Sequence, residues 1–357
     1  MIPALLLVAA ITALAAPRGR IGFAFLMLAV FATVAGNIDN PDRIPYVDNF
    51  EGIRVDGANA SFEPGYQLLA YSASILGLDY GAFHFVMTAV ALLLIARTIL
   101  DLCDQPGLAM FAYLCFPFIW DVTQVRNFYA MALILFSMRY LLVEQRASPA
   151  RYALTILLAT MFHVTSAFYL LFLLARIRNR FVLWGMLTLG ASAYFTLFSE
   201  LVASPLLAFI GDKIDVYTTT ETSMVTKLSV GTFYATSLVM VWWAGRRIER
   251  RGAAARGTAV MGAWAISGPL ILNMNLIAGL SILPALDNLD FIRLFRNIFL
   301  INCIFVINAI RSRRSGRMTL TLSFLLYLVV TFTGFVVMTS TSDIIGDAMQ
   351  NNAINSW

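Results

Sequence analysis

Three arginines have the types and spacing to hold an anion. Arg293 and Arg296 stand three apart in Asp290-Phe-Ile-Arg-Leu-Phe-Arg-Asn297, so on a helix they share one face. Arg126 follows Asp121-Val-Thr-Gln-Val and opens another apolar stretch, with Asn127 directly behind it. A guanidinium is planar, permanently charged and matched to paired oxygens, so such residues at helix mouths suit capture of phosphate or carboxylate. Each also has a plainer reading: pairing with a local carboxylate such as Asp121, Asp287 or Asp290, or snorkelling to lipid headgroups. With all three on one side of the protein, anion binding is the expectation.

Proton transfer has three candidates, Glu63, His163 and Asp42. Glu63 lies in Phe62-Glu-Pro-Gly-Tyr66, where Pro64 suits a first helical position. The spacing predicts a helix over 64–78 lying at the membrane interface or re-entering it. Its N-terminus is a place for an anion, or the helix simply covers the bundle. The same N-terminal dipole favours the Glu63 carboxylate and lowers its basicity. His163, in Thr160-Met-Phe-His-Val-Thr-Ser166, has an ordinary pKa of ~6.5 and suits a base better, or it positions substrate. Glu63 and His163 stand level, with Asp42 behind. Asp39-Asn-Pro-Asp42 and Asp287-Asn-Leu-Asp290 each set two carboxylates three apart. A divalent metal is conceivable there, but acidic loops give this spacing by chance, and no cofactor or metal is expected. Cys103, Cys115 and Cys303 are widely separated, which predicts neither a disulfide framework nor a thiolate metal site. Walker, HExxH and GxSxG motifs are absent, so ATP hydrolysis, zincin and esterase chemistry lack support.

The elements that must position these residues are membrane helices. Of 357 residues, 60% are hydrophobic and 13% charged, more apolar than one soluble core can hide. Apolar stretches recur at 2–16, 21–36, 80–100, 106–120, 125–143, 152–175, 181–198, 227–245, 258–280, 296–311 and 318–338. They predict one all-α polytopic membrane domain over 1–357, a bundle of about 10–12 helices. This excludes a soluble enzyme, a disordered chain and a nucleic-acid binder. The first 16 residues end on an AxA-like Ala13-Leu-Ala15, but they carry no basic leader and are read as a retained first helix.

Charge sets the orientation. Basic clusters near 17–20, 144–151, 176–180, 246–257 and 311–317 are assigned to the cytoplasmic side. That side takes 18 of the 25 basic residues and only four acids, which hides a strong sidedness inside a net charge of +5. The outer side takes loops 37–79, 199–226 and 281–295 and a short polar tail from Thr339, with both termini outside. Seven bases defy the bias: Arg43, Arg54, Arg126, Lys213, Lys227, Arg293 and Arg296. The stretch 152–175 has basic clusters at both ends, so a single crossing would misplace one of them. A break near His163, making a hairpin of two arms with His163 at its tip, restores the parity. Neither His84 nor His163 sits securely at mid-membrane, which counts against a proton-driven pump.

In their order and spacing these motifs resemble the EpsG-like family of bacterial exopolysaccharide polymerases, related in role to the Wzy polymerases. The likeness rests on Asp42-Arg-Ile-Pro-Tyr46 with Phe50, Glu63-Pro-Gly-Tyr66-Gln-Leu-Leu, Gln124-Val-Arg126-Asn127-Phe-Tyr-Ala130, Phe162-His163-Val-Thr-Ser166-Ala and Arg293-Leu-Phe-Arg296. Asn127 stands where the family often has Gln. The resemblance implies a glycosyltransferase-C-like enzyme of the inner membrane. Such an enzyme transfers glycan between polyprenyl-pyrophosphate-linked oligosaccharides at the outer face, building exopolysaccharide, capsule or O-antigen. The expected roles are catalytic for Glu63, His163 and Asp42, and pyrophosphate or substrate binding for Arg126, Asn127, Arg293, Arg296 and Tyr66. The implied partners are lipid-linked donor and acceptor, membrane lipid, and chain-length or export proteins; no nucleic acid is expected. The rival readings are a flippase for the same lipid-linked glycan and another outer-face transferase such as a ligase.

Overall fold

A computed structural model describes residues 1–40, 42–55, 57, 62–202, 223–254, 266–312, 317–338, 346 and 349–353. Among them the chain is all α, with no strand beyond an isolated bridge between Asn37 and Asn352. In chain order the helices are α1 (Ile2–Ala15), α2 (Arg20–Ala35), α3 (Arg43–Gly52), α4 (Pro64–Ile75), α5 (Tyr80–Leu102), α6 (Pro106–Cys115), α7 (Phe118–Thr123), α8 (Val125–Leu142) and α9 (Pro149–Thr160). A 3-10 helix, Val164–Arg176, follows. Then come α10 (Arg180–Val202), α11 (Met224–Ala254), α12 (Gly268–Ala278), α13 (Ile282–Asp287), α14 (Ile292–Arg296), α15 (Phe299–Ser312) and α16 (Arg317–Met338). Most of the expected loop 199–226, including Lys213, lies outside the described residues, as does the side chain of Asp287.

Among the described residues, four stretches are long and apolar enough to cross a bilayer: Tyr80–Leu102, Met224–Ile248, Gly268–Leu286 and Arg317–Gly334. The helices that reach the motif residues are shorter. At ~1.5 Å per residue, α8, α9 and α15 run about 27, 18 and 21 Å, against a hydrocarbon core of ~30 Å. Prolines open α4, α6, α9 and α12 within their first turn, where the missing N–H costs nothing. The expected helix at 106–120 is two helices, because Pro117 cannot donate to a turn continuing from α6.

The hairpin expected at 152–175 is present, with Met161 to His163 at its tip. Its second arm is a 3-10 helix rather than an α-helix. At ~2.0 Å per residue, those 13 residues extend about 26 Å, where an α-helix would fall short. The Tyr152 hydroxyl donates to the Tyr169 carbonyl at 2.7 Å and ties the arms together.

The bundle has two chemically distinct ends. At one, Asp101 on α5 receives Arg139 and Arg146 at 2.7 and 2.6 Å and Arg97 at 3.2 Å, while Asp104 pairs with Arg311. Two of the few acids assigned to the basic side thus lock α5, α8 and α15 together. Within the bundle, Asn275 and Asn302 exchange amide hydrogen bonds at 2.8 and 2.9 Å between α12 and α15. At the other end, Asn352 near the C-terminus donates its amide to the carbonyls of Ala32 and Thr33 and caps α2. Asn352 is thereby fastened to the scaffold at this end.

Two expectations change. Residues 281–295 form no open loop: α13, a 3-10 turn and α14 fold them against the bundle. The N-terminus of α4 offers no anion site, since the Gly65 and Tyr66 amides both donate to the Met161 carbonyl, at 2.8 and 3.4 Å. The covering reading holds on its buried side, while Leu68, Tyr71 and Ile75 present an exposed apolar stripe, as an interfacial helix requires. Gly65 permits the docking, because a Cβ there would sit 2.7 Å from the Met161 Cβ. Gly65→Ala should destabilise the protein by about 1–3 kcal/mol through overpacking. Gly185→Ala, whose new Cβ would meet nothing within 4 Å, serves as control. Equal thermal midpoints in detergent for the two variants would refute the docking role.

Candidate functional site

Away from the basic end, residues from four separate segments form one polar chain. Glu63 is the N-cap of α4 with extended backbone, which swings its side chain away from its own helix. The carboxylate accepts from the Arg126 guanidinium in the first turn of α8, from His163 Nδ1 at 3.3 Å and from the Val164 amide at 3.4 Å. Arg126 is further held over the Phe62 ring, 4.5 Å from its centre, and near Tyr46. Burial would raise the Glu63 carboxyl, but the His163 hydrogen bond and the Arg126 charge outweigh it and hold it at about 2. Glu63 is therefore a fixed anion at neutral pH.

His163 continues the chain. Its Nε2 lies 3.0 Å from Arg293 Nη1. A guanidinium only donates and a carboxylate only accepts, so Nδ1 carries the proton and Nε2 the lone pair. The imidazole is thus neutral, with the basic nitrogen turned toward Arg293. Arg293 also binds Asp290 through its side chain at 2.6 Å and through its carbonyl at 2.6 Å. Asp42, at the N-cap of α3, faces the same group. Burial raises its carboxyl, Arg293 lowers it, Asp290 raises it and Arg126 lowers it.

Arg296 sits one turn beyond Arg293 and is 2% exposed. It donates to Gln124 Oε1 at 2.7 Å and lies over the Trp120 ring at 5.6 Å. Among the described residues, its Nε and the indole N–H of Trp120 are buried without a hydrogen-bond partner. Trp120, Gln124, Arg293 and Arg296 line a cavity of about 60 Å³ whose rim carries Asp290. Behind it, Asp121 accepts from the Tyr113 hydroxyl at 2.8 Å.

The structure thus gathers Glu63, Arg126, His163, Arg293 and Arg296, with Asp42 beside them. It places two other expected binders differently. Asn127 is buried and exchanges amide hydrogen bonds with Asn297 at 3.3 and 3.1 Å, fastening α8 to the turn after α14. Tyr66 is fully buried in a cluster with Phe62, Tyr46 and Phe83, beneath Arg126. Both are placed to support the site from behind. His84 is a satisfied packing residue between the Tyr129 hydroxyl and the Val34 carbonyl, at 2.8 and 3.0 Å. Among the other outer bases, Arg43 and Arg54 donate to backbone carbonyls. Sequence reasoning missed Trp120, Gln124, Asn297 and Tyr169, whose hydroxyl braces the Leu294 carbonyl at 2.6 Å. Gln124 and Asn297 flank the arginine motifs, and that adjacency was the available signal. Among the described residues, no three His, Cys, Asp or Glu side chains converge as a metal would need.

The family model of the EpsG family matches residues 21–351. No curated protein and no solved structure matches the chain. With nearly its whole length covered, the chain belongs to the EpsG family, an exopolysaccharide polymerase-like family.

Glu63→Gln leaves Arg126 and His163 facing an uncharged partner and should cost on the order of 2 kcal/mol. Because the folded carboxyl titrates below its ordinary value, its stabilisation is complete above about pH 4.3 and is lost as pH falls toward 2. Thermal melts of wild type and Glu63→Gln at pH 7 and pH 3 measure this. A gap that does not narrow on acidification would contradict the assignment.

Proposed function

We propose that this EpsG-family chain is a membrane glycosyltransferase that polymerises polyprenyl-pyrophosphate-linked oligosaccharide units at the outer face of the cytoplasmic membrane. The observation that carries the reading is the convergence of Glu63, Arg126, His163 and Arg293 from four separate segments into one hydrogen-bonded chain opposite the basic end. The positive-inside bias favours the basic end as cytoplasmic, which turns the chain of groups and both termini outward.

The reaction is displacement at an anomeric carbon. The acceptor hydroxyl oxygen forms the new glycosidic bond, its proton passes to a base, and the bond from the anomeric carbon to the pyrophosphate breaks, its electron pair leaving on the pyrophosphate oxygen that had joined the sugar. Arg293 and Arg296 are the residues for that developing charge, since they flank a common cavity and Arg296 holds a donor in reserve. His163 is the base. Its Nε2 is covered by Arg293, so when the pyrophosphate draws Arg293 away the lone pair is released where the acceptor must lose its proton. Glu63 is too weak a base at about 2. Its role is to orient His163 through Nδ1–H and to support the imidazolium formed in the reaction. Arg126 holds Glu63 in place.

Purified protein supplied with lipid-linked repeat units should form polymer. Arg293→Ala, Arg296→Ala and His163→Ala should each lower the rate by ~10²–10³, with Arg293→Lys retaining part of it. Near-normal polymer formation in both arginine-to-alanine variants would sink the pyrophosphate assignment. A host lacking the protein should accumulate single lipid-linked repeats outside the cytoplasm; their retention on the inner leaflet would instead indicate a flippase.

A further inference from the structure

We propose that the protein carries a binding site for an anionic glycerophospholipid at its basic end, in a groove between α10, α11 and α12. The groove has a volume of about 350 Å³ and is walled by Leu183 and Trp184 from α10, Leu238 and Trp242 from α11, and Leu272 and Leu276 from α12. On α11 and α12 the wall pair is spaced i,i+4 and forms an apolar ridge, and Leu183 and Trp184 close the groove from α10. Trp184 and Trp242 are about half exposed and Phe181 beside them is 90% exposed, so the groove opens toward lipid rather than into the bundle.

Among the described residues its mouth carries two cations. Arg180 lines the groove four residues before Trp184, and Arg246 stands four residues after Trp242, stacked on that ring at 4.5 Å. Because α10 leaves the basic end and α11 returns to it, each arginine lies one turn beyond its tryptophan toward the same membrane surface. On both helices the arginine is the outermost of the three, beyond the leucine and the tryptophan that wall the groove. Indole rings favour the headgroup boundary, and paired guanidiniums just beyond it meet lipid phosphate. Among the described residues no carboxylate pairs with Arg180 or Arg246, in contrast to Arg97, Arg139, Arg146 and Arg311 at the same end, which all find aspartates. Asn273, also on the wall, donates to the carbonyls of Ala175 and Ile177 and fixes α12 against the end of the 3-10 helix, so the groove has a rigid floor. An apolar slot ending at two cations is complementary to an acyl chain joined to an anionic headgroup. The site is remote from Glu63 and His163, and it stands or falls apart from the proposed reaction.

The test places the protein in nanodiscs of equal phosphatidylglycerol and phosphatidylcholine and counts retained lipid by native mass spectrometry. Wild type should retain phosphatidylglycerol selectively. Arg180→Gln with Arg246→Gln should weaken that retention roughly twenty-five-fold, about five-fold for each arginine. Leu238→Trp, which fills the slot, should also expel the lipid. The pair Arg18→Gln with Arg20→Gln, elsewhere at the same end, should leave retention unchanged. On the unaltered protein, brominated phosphatidylglycerol should quench tryptophan fluorescence more than brominated phosphatidylcholine, a readout that needs no variant to fold. Equal quenching by the two lipids overturns the proposal. So does equal loss in both arginine pairs, undiminished retention in the Arg180 and Arg246 pair, or displacement by polyprenyl phosphate at equal concentration.

Discussion

The Glu63 carboxylate is the point on which the site end depends. It accepts from α8 through Arg126 and from the hairpin tip through His163 and the Val164 amide, while its own backbone begins α4. A carboxylate out of water needs such partners, and once it has them the three segments are fixed relative to one another. The tautomer of His163 follows, because the anion requires the proton on Nδ1. The contact with Arg293 follows from the tautomer, because only a bare Nε2 can receive a guanidinium. A single buried charge thereby sets the protonation state and direction of the group best suited to move a proton.

The framework that brings these groups together is asymmetric along its length. At the basic end, Asp101 and Asp104 gather arginines from α5, α8, α15 and the segment before α9. At the site end, amide pairs and aromatic rings take over, with Asn127 against Asn297 and Arg126 over Phe62. The short helices α8, α9 and α15 connect the two ends over less than a full hydrocarbon thickness.

Much of this was legible in the sequence. Apolar periodicity gave the helices, and the basic clusters gave the two ends, because membrane insertion depends on composition averaged over a turn or a loop. The hairpin at His163 was legible for the same reason, since basic clusters on both sides of one apolar stretch conflict with a single crossing. The stacking of Tyr66, the pairing of Asn127 and the occupied amides of Gly65 and Tyr66 were not legible. In each case the deciding partner is remote in the chain: Phe83 for Tyr66, Asn297 for Asn127, Met161 for the amides.

The sequence by itself determined that the chain is a helical membrane protein, which end of it is basic, and which motif residues were candidates for chemistry. Those properties depend on residue type and local spacing. Only the tertiary structure decided which candidates meet and in what state. It made Glu63 a held anion, turned the lone pair of His163 toward Arg293, and moved Tyr66 and Asn127 into supporting positions. The physical reason is that a buried charge or polar group is defined by the partners that compensate it, and here those partners lie between 60 and 170 residues away along the chain.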